Sequence, residues 1–239
     1  MIIASVGNIA QILIVLILAT AAVIIMKRDI RSLIKTYSFQ SLLLALMALL
    51  YFVETGSLTL LFLAIIILVS KVVIIPRFMG VVQKRLNIKR DVKFHFLSPV
   101  TSLLASITIV LFVYLAFSSI LSELNRFNSS LFLLGATVGM SIVFMGMIVV
   151  FTRKQTLTNI IGYLTMENGV VLFSLFLTEL PLLIEVLIIV DLIMLTLIAT
   201  ILAFGIDSTI EEFHARLNPF HDSQKKASEE IKDLEAEQQ

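Results

Sequence analysis

Four charged side chains lie inside long apolar stretches of the sequence: Lys71, Glu167, Glu185 and Asp191. An ionised group in the hydrocarbon of a membrane costs on the order of 3 kcal/mol on insertion scales, so it needs a partner, water or a function. Carboxyl and ammonium groups in this setting are typical of proton relays and cation paths. We therefore treat these four residues as candidate stations of a path for protons or ions.

The three acids occupy different positions in their apolar stretches. Glu167 lies near the middle of one stretch, where desolvation favours the protonated form and makes the acid a candidate for exchanging protons. Asp191 lies six residues beyond Glu185, about 9 Å along a helix axis and on a different face. These two are expected to be successive stations rather than one carboxylate pair. For each acid, a purely structural hydrogen bond to a neighbouring helix is the alternative.

Lys71 is followed by Pro76, which has no amide proton. The carbonyl of Val72 therefore loses its helical partner, and a charge beside broken backbone predicts a hydrated pocket. Two interpretations of Lys71 stay open: its ammonium extends to the inner membrane interface, or it forms an ion pair with one of the carboxylates. Pro76 is expected to end or kink the helix that contains it.

Neutral polar residues and glycines accompany the charged ones. The side chains expected to support the path are Gln40, Tyr163, Asn168, Thr196 and Thr200, the last two of which share one stripe of a helix. Small residues let helices approach closely in membranes. Close helix packing is therefore predicted at Gly135, Gly139 and Gly146 in one stretch and at Gly162 and Gly169 in the next.

The elements that hold these residues are predicted to be transmembrane helices of an all-α, polytopic membrane protein. The chain has 239 residues, of which 59% are hydrophobic and 15% charged, and its mean hydropathy is +1.04, which excludes a soluble globule. A helix of about 20 apolar residues crosses a membrane. Seven stretches qualify, at 8–26, 33–53, 58–80, 99–121, 131–151, 157–177 and 181–205.

Basic residues are distributed unevenly between the loops that join these spans. Of the 18 Lys and Arg residues, 16 lie after spans one, three and five or in the tail, against Arg126 on the other face and Lys71 inside a span. Short basic loops stay in the cytoplasm, so the N-terminus is predicted outside and the C-terminus inside. The predicted parts are a four-helix part (1–128), a three-helix part (129–206) and an acidic cytoplasmic tail (207–239).

The sequence carries no signature of catalysis or of a cofactor. Cys is absent, which excludes disulfides, thiolate metal sites and cysteine nucleophiles. His95, His214 and His221 lack the helical spacing of metal ligands. No glycine-rich nucleotide loop, nucleophile elbow or HExxH motif occurs, so we predict a non-catalytic chain without cofactor, metal or bound nucleic acid.

Four segments of the chain resemble a known family. GYLTMENGVVLF (162–173) and LLIEVLIIVDLIMLTLIATI (182–201) are the most specific, and TYSFQSLLLAL (36–46) and SKVVIIP (70–76) agree with them. Together they are similar to the E-type membrane subunit of hydrogenase 4, of the formate hydrogenlyase-2 class, over about residues 1–220. The last three spans also resemble, more weakly, the K-type subunit of respiratory complex I and the C-type subunit of multisubunit cation/proton antiporters.

The resemblance implies roles for two acids and a set of partners. The K-type subunit has its first acid one turn earlier, at the position of Leu164, so Glu167 would take the place of that acid from a neighbouring position. Asp191 stands at the position of its second acid. The implied protein is a non-catalytic membrane-arm subunit of a complex-I-like group 4 nickel–iron hydrogenase in a prokaryotic cytoplasmic membrane. Implied partners are antiporter-like membrane subunits, a membrane anchor subunit and a cytoplasmic module with nickel–iron and iron–sulfur centres.

Three hypotheses about function stay open at this stage. The first is a lateral path for protons or sodium ions, with Glu167 and Asp191 as stations and Glu185 and Lys71 as modulators. The second is a structural subunit that bridges its neighbours, or a subunit of a multisubunit cation/proton antiporter. The third is a free-standing transporter, which is disfavoured because inverted repeats with paired interrupted helices are not visible.

Overall fold

A computed structural model of the chain describes residues 2–85, 99–123, 130–153, 155–176 and 180–204, and every helix or strand element in them is a helix. The predicted all-α class is therefore confirmed. The tail at 207–239, Arg126 and the three histidines lie outside the described residues. The side chain of Glu185 also lies outside the described part, although its backbone belongs to a helix.

The helices follow one another in chain order as α1 (Ile2–Met26), α2 (Ile30–Thr55), α3 (Leu58–Ile67), a π-helical segment (Leu68–Ile74), α4 (Ile75–Arg85), α5 (Pro99–Glu123), α6 (Ser130–Thr152), α7 (Thr156–Ser174) and α8 (Leu180–Phe204). Most ends fall within a few residues of the predicted spans. Helix α3, the π-helical segment and α4 follow one another without a break, and together we call them the third helix. Two ends differ more: α1 begins at Ile2 rather than residue 8, and the third helix extends to Arg85 rather than ending at residue 80.

In the part of the chain that the structure describes, four helices are long and apolar enough to cross a membrane: Gly7–Met26, Ile30–Thr55, Leu58–Lys84 and Leu131–Thr152. Leu104–Ser119 and Ile189–Thr200 are shorter apolar helices among the described residues. Helix α7 is less apolar because it contains Asn159, Glu167 and Asn168. Most of its residues are buried by other helices, so Glu167 and Asn168 face protein rather than lipid.

Helices α6 and α7 form the closest contact in the bundle, and glycines line it. A Cβ atom added to Gly139 would lie 2.7 Å from the backbone nitrogen of Phe173, and one added to Gly169 would lie 2.7 Å from the carbonyl oxygen of Gly139. Three more glycines are predicted at close helix contacts: Gly135, Gly146 and Gly162. Gly146 and Gly162 lie against residues of the same contact, and Gly135 lies against the Phe176 ring just beyond α7. The two backbones therefore pack with almost no side chain between them.

Helices α2 and α7 occupy the centre of the bundle. Helix α2 contacts α1, all three segments of the third helix and α7, whereas α5 lies outside against α1 and α6. Helix α8 packs against α3, α4 and α7. This arrangement brings the middle of α2, the π-helical segment, α7 and α8 to one place.

One basic residue that we predicted only as a determinant of topology has a structural role. Arg153, at the end of α6, is buried, and its Nη2 donates to the carbonyl oxygens of Ile25 at 2.8 Å and Lys27 at 2.7 Å. The last carbonyls of a helix lack intrahelical partners, and a cation there also interacts favourably with the helix dipole. Arg153 therefore binds the end of α1 to the end of α6.

The glycine contact between α6 and α7 makes a prediction about stability. Gly169→Ala is expected to destabilise the protein by about 1–3 kcal/mol, because the new methyl group meets backbone that cannot move aside. Gly80→Ala is the matched control, since a Cβ atom there has no heavy atom within 4 Å. Thermal unfolding of both variants in detergent measures the difference, and equal melting temperatures would contradict this packing.

Candidate functional site

The third helix is interrupted at its centre rather than ended by its proline. The amide of Ile75 donates to the carbonyl of Ser70, a bond one residue longer than that of an α-helix, and α4 then continues through Pro76. The carbonyl of Val72, which Pro76 leaves without a backbone partner, accepts a hydrogen bond from the Ser38 hydroxyl of α2 at 3.2 Å. Of the two expectations for Pro76, that it ends or that it kinks the helix, the first is wrong, because the π turn and Ser38 satisfy the freed backbone and α4 continues to Arg85.

Lys71 lies in this π-helical segment and is completely buried. Its Nζ is 3.0 Å from Oε2 of Glu167 on α7 and 3.9 Å from Oδ1 of Asp191 on α8. Lys71 is also the central residue of the apolar helix Leu58–Lys84, far from both of its ends. Of the two interpretations of Lys71, the structure therefore has the ion pair and not the extended side chain at the interface.

Asn168 connects the ion pair to α2. Its Oδ1 accepts from Lys71 Nζ at 3.3 Å, and its Nδ2 donates to Oε1 of Gln40 at 3.2 Å and to Oγ of Ser41 at 3.0 Å. The Gln40 amide donates in turn to the carbonyl of Ile17 on α1 at 3.4 Å. One chain of polar contacts thus runs from α1 through α2 and α7 to the third helix.

Asp191 is held by Ser70, the residue before Lys71. The two oxygens, Oγ of Ser70 and Oδ2 of Asp191, are 2.5 Å apart, and Oγ of Ser70 is also 2.8 Å from the carbonyl of Ile66. A hydroxyl has only one proton to donate. If Ser70 donates to Ile66, Asp191 must carry a proton and donate to Ser70; if Ser70 donates to Asp191, the carboxylate is ionised.

We call these seven side chains the polar cluster: Gln40, Ser41, Ser70, Lys71, Glu167, Asn168 and Asp191. Its charges are one ammonium and two carboxyl groups, all almost completely buried. An unbalanced charge is costly in a buried site, and these groups are neutral together when the two carboxyl groups hold one proton between them. Because the Lys71 ammonium lies near both acids, at 3.0 Å from Glu167 and 3.9 Å from Asp191, the arrangement can hold this proton on either of them.

Sequence reasoning missed three polar residues at or beside the cluster: Ser41, Ser70 and Tyr37. Tyr37 is completely buried and lies within electrostatic range of both Glu167 and Asp191. A signal for two of them was present in the segment TYSFQS, where Tyr37, Gln40 and Ser41 follow the spacing of one helix face. Polar residues on one face of an otherwise apolar helix indicate a contact with other polar groups.

Three predicted supporting residues do not join the cluster. Tyr163 is exposed on α7. Thr196 and Thr200 are exposed on α8, where their hydroxyls donate to the carbonyls of Leu192 and Thr196 one turn earlier. Thr196 lies five positions after Asp191, which places the two on different faces of the helix. The expected hydroxyl stripe therefore faces outward.

The fold and the polar cluster define the class of this protein: an all-α membrane protein with a charged network buried between its helices. Among the described residues, no group of three His, Cys, Asp or Glu side chains could hold a metal ion. Comparison of the chain with protein-family models, with curated proteins and with solved structures finds no match. The polar cluster is therefore the structural feature that bears on its function.

The ion pair of Lys71 makes a prediction about coupling between residues. Lys71→Met is expected to destabilise the protein by about 3–5 kcal/mol, because it leaves a buried carboxylate without its partner. Adding Glu167→Gln should recover part of that loss, since the second change removes the uncompensated charge. Thermal unfolding in detergent gives the double-mutant cycle.

Lys84→Met is the matched control for this cycle, since Lys84 is exposed on α4 and its replacement should change stability little. If the stability loss of the double variant equals the sum of the losses of the two single variants, the ion pair is contradicted.

Proposed function

We propose that this protein is a membrane-arm subunit of a complex-I-like group 4 nickel–iron hydrogenase, and that the polar cluster is part of its path for protons or sodium ions. The observation that carries the ion path is the Lys71 ammonium between carboxyl groups of two different helices. The hydrogenase assignment is supported by the resemblance of 162–173 and 182–201. Redox chemistry belongs to the partner subunits, and this chain contributes only protonatable groups.

The cluster supports a two-position mechanism. When Asp191 carries the shared proton, Lys71 pairs with ionised Glu167, the arrangement with the shorter distance of 3.0 Å. When the proton is on Glu167, the Lys71 ammonium moves toward Asp191 on its flexible four-carbon side chain. In the structure, its Nζ is 3.9 Å from Oδ1 of Asp191. Transfer of the proton between the two acids keeps the site neutral, so this step places no unpaired charge in hydrocarbon.

Seven spans with the N-terminus outside and the C-terminus inside are part of the same proposal. The positions of basic side chains support this orientation: Lys27, Arg31 and Lys35 lie where α1 ends and α2 begins, and Arg153 joins that place to the end of α6. Glu54 lies at the opposite end of α2. Clustering of basic residues at one end is typical of the cytoplasmic side.

Substitution of the two acids tests the ion path. Glu167→Gln and Asp191→Asn remove the titratable groups but keep their size, so the assembled complex and its dye-linked hydrogenase activity should be largely unchanged. Proton movement coupled to that activity, followed with a pH-sensitive dye in inverted membrane vesicles, should fall to the uncoupled background. Glu54→Gln is the control, because Glu54 is exposed and distant from the cluster along α2. Unchanged proton movement in both cluster variants would refute the path.

A structural role is the second candidate, because the polar contacts join α1, α2, the third helix, α7 and α8. In that case the same two substitutions would deplete the assembled complex instead of selectively impairing proton movement. Native mass measurement of the detergent-extracted assembly separates these outcomes. It also identifies the companions: antiporter subunits without a hydrogenase module would favour a multisubunit cation/proton antiporter.

The orientation is testable with single cysteines, because the chain contains none of its own. Glu54→Cys, at the predicted outer end of α2, should react with a membrane-impermeant maleimide on intact cells. Arg31→Cys, exposed near the predicted inner end of the same helix, should react only after the cells are permeabilised. The reverse pattern would invert the topology, and reaction of both residues in intact cells would contradict a spanning α2.

A further inference from the structure

A groove of about 490 Å³ lies between α2 and the π-helical segment with α4. Its walls are mainly apolar, and two basic side chains line it as well. The lining residues are Ile34, Lys35, Ser38, Phe39, Leu42, Val72, Val73, Pro76 and Arg77. The mechanism proposed for the polar cluster uses none of them.

The two basic residues of the groove, Lys35 and Arg77, are both exposed, and neither forms an ion pair with a described residue. At this end of the bundle, the described part of the chain offers a single carboxylate, that of Asp29. Its side chain is already used, because it accepts from the amide of Ser32 at 2.9 Å at the start of α2. The groove therefore carries two positive charges that the described residues do not neutralise.

Exposed basic side chains begin at the same level on both walls. On α2, Phe39 and Leu46 are exposed on the apolar side of Lys35, and Arg31 lies one turn beyond it. On the third helix, apolar Val69 and Val73 are exposed on one side of Arg77, whereas on the other side Lys84 is exposed together with Phe78 and Val81. Such a change marks the boundary between lipid hydrocarbon and headgroups, where Lys and Arg contact phosphate.

We propose that this groove binds one anionic phospholipid. Its phosphate lies between Lys35 and Arg77, where the planar guanidinium offers two parallel donors and the ammonium adds a point charge. One acyl chain follows the apolar wall formed by Phe39, Leu42 and Val73. An amphiphile matches both halves of the groove, whereas a free phosphate would leave the apolar half uncovered.

This binding site lies beside the interruption of the third helix. Ser38 and Val72, which line the groove, are the two residues whose hydrogen bond replaces the one that Pro76 cannot make. Val72 directly follows Lys71 in the chain. A bound lipid therefore rests against the backbone that carries the central ammonium, but the proposal stands without the hydrogenase assignment.

Titration of the delipidated full-length protein with phosphatidylglycerol in detergent, followed by native mass spectrometry, tests the site. We expect one phosphatidylglycerol to stay bound under conditions that release phosphatidylcholine. The double variant Lys35→Gln, Arg77→Gln should weaken phosphatidylglycerol binding about 25-fold, because each basic residue near the phosphate contributes roughly fivefold. Free glycerol phosphate should not compete, since it lacks the acyl chain.

Arg31→Gln with Lys84→Gln is the control, because it removes the same charge from exposed residues outside the groove. Binding should change little in this variant. Equal losses in the two double variants would show diffuse attraction rather than a site and would overturn the proposal. Competition by glycerol phosphate, or equal retention of phosphatidylcholine, would overturn it too. Thermal unfolding without lipid checks that both variants are folded, as exposed substitutions should be.

Discussion

The contact on which the rest of this structure depends is that of the Lys71 ammonium with the carboxyl groups of Glu167 and Asp191. Each of these groups alone would be expelled from the middle of an apolar bundle, whereas together, with one shared proton, they are neutral. The three residues lie on three different helices, so this neutrality exists only when the third helix, α7 and α8 are assembled. Electrostatics here specifies which helices must meet.

Two departures from regular helix packing make that meeting possible. Glycines remove the side chains between α6 and α7, which places α7 close to its neighbour and leaves its polar face for α2 and the third helix. The π turn before Pro76 presents Ser70 and Lys71 in succession, one to Asp191 and the other to Glu167. Glycine lowers the helix propensity of α6 and α7, and the π turn interrupts the regular hydrogen bonding of its helix. Both effects are offset by contacts that only the assembled bundle provides.

Much of this arrangement could be predicted from the sequence, because a charge in an apolar stretch is visible without a structure. Lys71, Glu167 and Asp191 are predicted in that way. Gln40 and Asn168 are predicted as neutral polar residues beside them, and the free carbonyl of Val72 from the missing amide of Pro76. The hydrogen-bond partners of single polar residues could not be predicted in this way. Nothing in the sequence distinguishes Ser38 and Ser41 from other serines, because their partners, the Val72 carbonyl and the Asn168 amide, lie on other helices. Thr196 and Thr200 show the converse, since their hydroxyls can satisfy themselves on their own helix and need no site.

The same geometry bears on whether protons or sodium ions fit the cluster. A sodium ion needs several oxygen ligands around it, and the space between the two carboxyl groups is occupied by an ammonium that would repel a second cation. A proton needs no such space, because it binds a carboxyl oxygen and leaves the ammonium free to follow the remaining charge. The Ser70 hydroxyl accommodates both states of Asp191 by turning its own proton toward the carboxylate or toward Ile66. Within the proposed ion path, the geometry of the cluster therefore favours exchange of a proton over binding of a metal cation.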